Sequence, residues 1–325
     1  MKTYLAVSAL LISSGTIYAQ ETASPPEADS GAQSAYERRV ERFDAIAVAF
    51  EKTFKGFTVA KSVEDKNAAV EPASIAGVHS RESGNSTAID VGVTWDIWRQ
   101  KDFDAEIDSE ALNKLYWSIG PKLEYHRNDV GGDKEQDSLQ AGFAIAARNL
   151  RAPTNLAPDP LNFHYETTFK YKNDRIKNGQ GVSSSFAVSA TKARIHLGAA
   201  DETESGLVSW GWFPVLALQS EQADNLKNEP SGSVTRLKGA VDLKILPFNP
   251  LNFEVGIGYN LWYNFTKSGP FERYHRTQML FKAYATYWFT DNKNVGLGVD
   301  YSDGANPETN LKGDRFTSFG VKIQF

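Results

Sequence analysis

The longest unbroken alternation in the chain runs from Phe253 to Phe265. Phe253, Val255, Ile257, Tyr259, Leu261, Tyr263 and Phe265 take one parity; Glu254, Gly256, Gly258, Asn260, Trp262 and Asn264 take the other. A helix would scatter these residues around its circumference, whereas a strand puts each set on its own face. The same period of two places Ile89, Val91, Val93, Trp95 and Ile97 opposite Asp90, Gly92, Thr94 and Asp96. It sets Leu115, Trp117, Ile119, Leu123 and Tyr125 against Tyr116, Ser118, Gly120, Lys122, Glu124 and His126. It recurs around Leu139–Ala147, Phe163–Tyr171, Val208–Leu218, Leu237–Ile245, Met279–Phe289 and Val295–Tyr301, and more weakly in the Ser-rich stretch Val182–Thr191. The last strand carries Phe319, Val321, Ile323 and Phe325 on one face and Ser318, Gly320, Lys322 and Gln324 on the other. Polar breaks containing Gly, Asn, Asp or Pro separate these segments, as hairpin connections require.

Counted with the tail, the pattern gives eleven strands, and Ala73–His79 is a weaker candidate for a twelfth. The count tolerates ten or fourteen. With twelve, the breaks near Leu246–Pro250 and Asp291–Asn294 fall at one end as tight turns. Those at Arg127–Asp137, Lys172–Gln180, Gln219–Gly232, Lys267–His275 and Ser302–Asp314 fall at the other as longer polar loops. Arg99–Ala111 and Gly198–Gly206 are long for the first group. A soluble sandwich or lipocalin-like barrel also alternates. Here, however, nearly every polar face carries ionic groups, while the apolar face is large throughout and holds Trp95, Trp117, Trp210, Trp212, Tyr259, Tyr263 and Tyr287, residues suited to interfacial belts.

The start of the chain reads as a secretory signal peptide over 1–19: Lys2, an apolar run Tyr4–Ile12, then a small-residue stretch ending at Ala19. Cysteine is absent, which excludes disulfides, lipoprotein processing and thiolate metal sites. A net charge of −5 argues against nucleic acid as a partner. Residues 20–71 differ in kind. Gln20–Ser34 is acidic and of low complexity, a linker; Tyr36, Val40, Phe43, Phe50 and Phe54 then form an apolar stripe on a predicted amphipathic helix. That stripe could plug the barrel mouth, lie on the inner leaflet, pair with a periplasmic partner or another copy through residues 35–57, or simply pack on a turn.

Together these features resemble the Gram-negative outer-membrane β-barrel proteins in general, over the signal peptide and residues 72–325. The resemblance implies an all-β fold, an antiparallel transmembrane barrel of about twelve strands with a short helical or disordered periplasmic segment. It also implies residence in the outer membrane, contact with its lipid, and delivery by the barrel-assembly machinery through the terminal stripe Phe319, Val321, Ile323 and Phe325.

Candidate chemistry is sparse. The five histidines show no metal-binding or paired-carboxylate spacing, so neither a metal nor a cofactor is expected. His79-Ser80 raises a hydrolase reading, but lacks the surrounding pattern of outer-membrane phospholipases. The inward polar set matters more: Lys122, Glu124, Arg148, His164, Glu166, Lys170, Lys172, Arg236, Lys238, Asp242, Lys244, Glu254, Lys282, Asp300 and Lys322. Twelve strands tilted near 40° enclose a backbone cylinder about 24 Å across, which side chains narrow to roughly 10 Å. The excess of Lys and Arg in this set predicts a mildly cationic lumen and a small porin-like channel favouring anionic solutes. The alternatives are a non-conducting structural or interaction barrel, whose lumen charges pair off, and an outer-membrane hydrolase.

Overall fold

A computed structural model describes residues 57–60, 71–80, 84–100, 114–129, 136–151, 159–176, 179–198, 201–202, 208–224, 230–247, 252–290, 293–308 and 311–324. The expected signal peptide, linker, helix stripe and Phe325 lie outside these residues.

Twelve strands follow one another in chain order: β1 (Ala73–Ser80), β2 (Gly84–Trp95), β3 (Lys114–Asn128), β4 (Gln136–Leu150), β5 (Asn162–Asp174), β6 (Gly179–Thr191), β7 (Val208–Asp224), β8 (Gly232–Pro247), β9 (Phe253–Lys267), β10 (Thr277–Trp288), β11 (Val295–Asn306) and β12 (Leu311–Ile323). Each pairs antiparallel with its sequence neighbours, and β12 returns to β1 in a register running from Ile323↔Ala73 to Phe316↔Ser80. The sheet is thus a closed barrel without edges, the arrangement that satisfies every strand's backbone within a bilayer. Ala73 beside Ile323 puts the start of β1 and the end of β12 at one rim, here called the terminal rim; the opposite rim is called distal. Among the described residues no helix is long and apolar enough to cross a membrane.

Two short segments complete the rims. Phe57–Ala60 pairs with Gly92–Trp95 of β2, extending the ladder beyond β1, and Trp98–Arg99 pairs with Ile119 and Ser118 of β3. Between β6 and β7, a 3₁₀ turn at Ala193–Ile195 receives its first amides on the Asp159 carboxylate, at 3.1 and 2.9 Å.

Alternation is obeyed on both faces. Along β9, Glu254, Gly256, Gly258, Asn260, Trp262 and Asn264 are buried inside, while Ile257, Tyr259, Leu261 and Phe265 are exposed outside. Phe143 and Phe169, in register on β4 and β5, stack outside with centroids 5.1 Å apart. Leu123, Phe186, Leu216, Leu218, Phe281 and Phe319 extend the same band. An apolar band of this extent is far beyond what a water-facing monomer leaves uncovered, and lipid covers it. The outward tryptophans Trp95, Trp98, Trp117, Trp210 and Trp212 gather toward the terminal rim, whereas Tyr125, Tyr171 and Tyr263 lie toward the distal one. This is the pattern of two interfacial belts.

The structure corrects the expected strand limits. Ala73–Ser80 and the Ser-rich Gly179–Thr191 are full strands, although each alternates poorly. Three of the polar stretches read as long loops are in good part ladder: β5 runs to Asp174, β7 to Asp224 and β11 to Asn306, whereas Lys267–His275 is a loop as expected. Backbone pairing does not need apolar side chains, so it continues past the lipid-facing stripe once each strand has two neighbours. Several distal connections are consequently short, the nine residues 268–276 with their 3₁₀ turn at Gly269–Phe271 being an exception, and the longest stretches between strands lie at the terminal rim.

Candidate functional site

The wall of the lumen is ionic and its charges meet in groups. Lys122 and Glu124 on β3 face Glu166 and Lys170 on β5, with β4 between them. The inward positions of β4 at this level are Gly142, Ala144 and Ala146, small enough for the long side chains to cross above them. Lys122 pairs with Glu166, and Lys170 Nζ reaches Glu124 Oε2 at 3.1 Å, so the two pairs run side by side diagonally over β4. His126 continues the chain: its Nδ1 lies 2.9 Å from Asp90 Oδ1 and its Nε2 3.6 Å from Glu124 Oε2.

A second group lies nearer the distal rim. Arg236 on β8 donates from Nε to Gln219 Oε1 (3.0 Å) and from Nη2 to Glu221 Oε2 (2.8 Å). Lys172 stands 3.7 Å from the same Glu221. Lys238, two residues along β8, places its ammonium 5.6 Å from the ring centroid of Trp262 and donates to Glu308 Oε1 at 2.8 Å.

The third group is built around Glu254 on β9, toward the terminal rim. Lys244 approaches Glu254 Oε2 at 3.0 Å, the Tyr284 hydroxyl donates to Oε1 at 3.1 Å, and the Trp288 indole N–H donates to Oε2 at 3.3 Å. Lys282 pairs with Glu71, which leads into β1, and stands 3.9 Å from Asp242. Lys322 pairs with Asp300. Glycines again lie beneath the crossing side chains: a methyl at Gly256 would fall 2.2 Å from the Tyr284 ring, and one at Gly258 2.1 Å from Asp242 Oδ1.

The residues predicted to line the lumen face inward, and the structure brings most of them together. Arg148 is half-buried on β4 and His164 is buried on β5, with Nε2 3.5 Å from Thr191 Oγ1 rather than joined to Glu166. The expected cationic excess disappears. Asp90, Asp174, Glu221 and Glu308, with Glu71, were not in the predicted set, and they offset its lysines and arginines. Glu221 and Glu308 fall in stretches read as external loop. Asp90 was visible on the polar face of its strand, and only its weight was missed.

His79 and Ser80 occupy opposite faces of β1. Ser80 is buried within, while His79 is exposed outside, its Nδ1 2.8 Å from Asn85 Oδ1. The two side chains cannot act as one catalytic pair.

A closed antiparallel barrel with an apolar exterior, aromatic belts and an ionic interior defines an outer-membrane β-barrel. No family model matches the chain, and no curated protein matches it in sequence. Solved structures share the architecture. The chain is similar to the NanC porin at 10% identity and a TM-score of 0.44, over 78% of this chain and 100% of that one. It is similar to the transport unit of the autotransporter AIDA-I from Escherichia coli at 13% identity and a TM-score of 0.38, over 82% and 95%. It is also similar to the translocator domain of the autotransporter NalP from Neisseria meningitidis at 10% identity and a TM-score of 0.35, over 90% and 100%. At these identities the likeness is one of fold.

Proposed function

We propose that this barrel is a narrow outer-membrane channel for small polar solutes. The observation that carries this reading is a wall that is ionic from rim to rim. Replacing buried ion pairs by apolar side chains of similar volume is often neutral or stabilising. A barrel needed only as a rigid body would lose nothing by an apolar filling. The retained polarity suits a path for water and solutes, and the crossing pairs above small residues keep long side chains against the wall rather than across the bore.

One observation favours a second reading. The wall cations are largely matched by carboxylates, as a permanently closed structural barrel in an envelope assembly would have them. Single-channel conductance of the refolded full chain in a planar bilayer separates the two. Discrete openings are expected. A folded barrel, heat-modifiable on gels yet electrically silent, overturns the channel reading in favour of the structural one.

A further inference from the structure

The connection between β11 and β12 carries a carboxylate deep into the lumen. β11 changes register between Gly304 and Asn306. Gly304 has φ of +126°, where a Cβ would also strike the Met279 carbonyl oxygen at 2.1 Å, so only glycine permits this bend. Beyond it Pro307 is buried, and the Glu308 amide donates to Asn306 Oδ1 at 3.0 Å, holding the tip in shape.

From this tip Glu308 reaches β7, β8 and β9. Its Oε1 accepts from Gln219 Nε2 at 2.7 Å, from Lys238 Nζ at 2.8 Å and from Trp262 Nε1 at 3.4 Å. Three donors on three adjacent strands thus converge on one oxygen supplied from elsewhere on the ring. The donors are held by the wall itself. Gln219 is bonded to Arg236, Arg236 to Glu221, and Lys238 lies over Trp262. Beside them, Arg236 is 96% buried, and its Nη1 makes no hydrogen bond among the described residues. A buried guanidinium N–H costs free energy while it lacks an acceptor, so the site has donor capacity that Glu308 does not use.

We propose that Gln219, Arg236, Lys238 and Trp262 form a binding subsite for the carboxylate of a small organic acid, and that Glu308 occupies it as a tethered surrogate. A solute carboxylate offers two oxygens, one for the Glu308 position and one for the Arg236 Nη1 donor. It competes with a tethered group whose effective concentration is in the millimolar range, so millimolar solute displaces the tip. The inference rests on the lumen being a solute path for its physiological meaning; the binding itself does not require conduction.

The probe is propionate, which is the Glu308 side chain as a free molecule, with propionamide as its uncharged isostere. Line broadening of carbon-13-labelled propionate is followed against the refolded full chain in detergent. Saturable binding is expected, at least tenfold tighter in Glu308→Gln, where the tethered charge is gone, and absent with propionamide. Adding Lys238→Met to Glu308→Gln should abolish it; each variant is first shown to be folded by its heat-modifiable mobility. Equal affinity in wild type and Glu308→Gln, or no binding to either, overturns the subsite. Propionate binding to a barrel that does not conduct leaves the subsite standing and sinks the channel. Conduction without propionate binding does the reverse.

Discussion

Replacing Glu166 with methionine tests whether the wall is dry where the two pairs span β4. The Lys122 and Glu166 side chains are only 1% and 2% exposed, and they hold each other across β4. Removing one partner of a buried ion pair costs 3–5 kcal/mol, because the remaining charge stays desolvated. Glu124 also acts on Lys122 from the same strand, which places the expected loss near the low end, about 3 kcal/mol. Removing both charges, with Lys122→Met and Glu166→Met together, leaves no orphaned ammonium and should cost less than about 1 kcal/mol. The assay is equilibrium urea unfolding of the full chain folded into phosphatidylcholine vesicles, followed by tryptophan fluorescence. If the single substitution costs no more than the double, water reaches Lys122 in the native barrel. The pair is then solvated rather than buried, and the lumen at this level is wide and wet.

Three further outcomes follow from the geometry. Gly258→Val places a branched side chain where a single methyl already comes within 2.1 Å of Asp242 Oδ1 and 3.2 Å of Lys282 Cε; a loss of about 1–3 kcal/mol is expected in the same unfolding assay, and an unchanged midpoint refutes the crossing arrangement. Leu261→Arg, mid-strand on the lipid face, should cost about 2–4 kcal/mol, and Phe265→Arg, near the distal belt, about 0–1; equal effects at the two positions would contradict the placement of the membrane. The Glu308 carboxyl, which burial alone would raise, is held down to about 2 by Lys238, the Gln219 amide and Arg236. Its contribution to the latched tip is therefore complete above its ordinary value of 4.5 and is lost as pH falls toward 2. Bilayer conductance should match at pH 8 and 5 and change only near pH 3 and below; a Glu308-dependent change between pH 8 and 5 contradicts the latch.

The strands with lipid on one side and ions on the other were legible because burial imposes period two on both faces at once, as β9 illustrates from Phe253 to Phe265. Two kinds of feature escaped. Where a strand faces lipid with a small or polar residue, as β6 does with Ser184 between the inward Ser183 and Ser185, alternation fades, although each backbone group is still claimed by β5 and β7. Where a strand outruns the bilayer, the apolar half of the signal ends before the ladder does, so Glu221 on β7 reads as loop while it pairs with Arg236 in the lumen. The Glu308 contact depends on a third thing that no local pattern encodes. The Gly304 bend turns a polar tip inward, and its partners Gln219, Lys238 and Trp262 are distant in sequence and adjacent only because the sheet closes. The parity of Trp262 was the available clue. An indole flanked on the inward face of its strand by Gly258, Asn260 and Asn264 needs an acceptor for its N–H, and the barrel supplies one from the tip between β11 and β12.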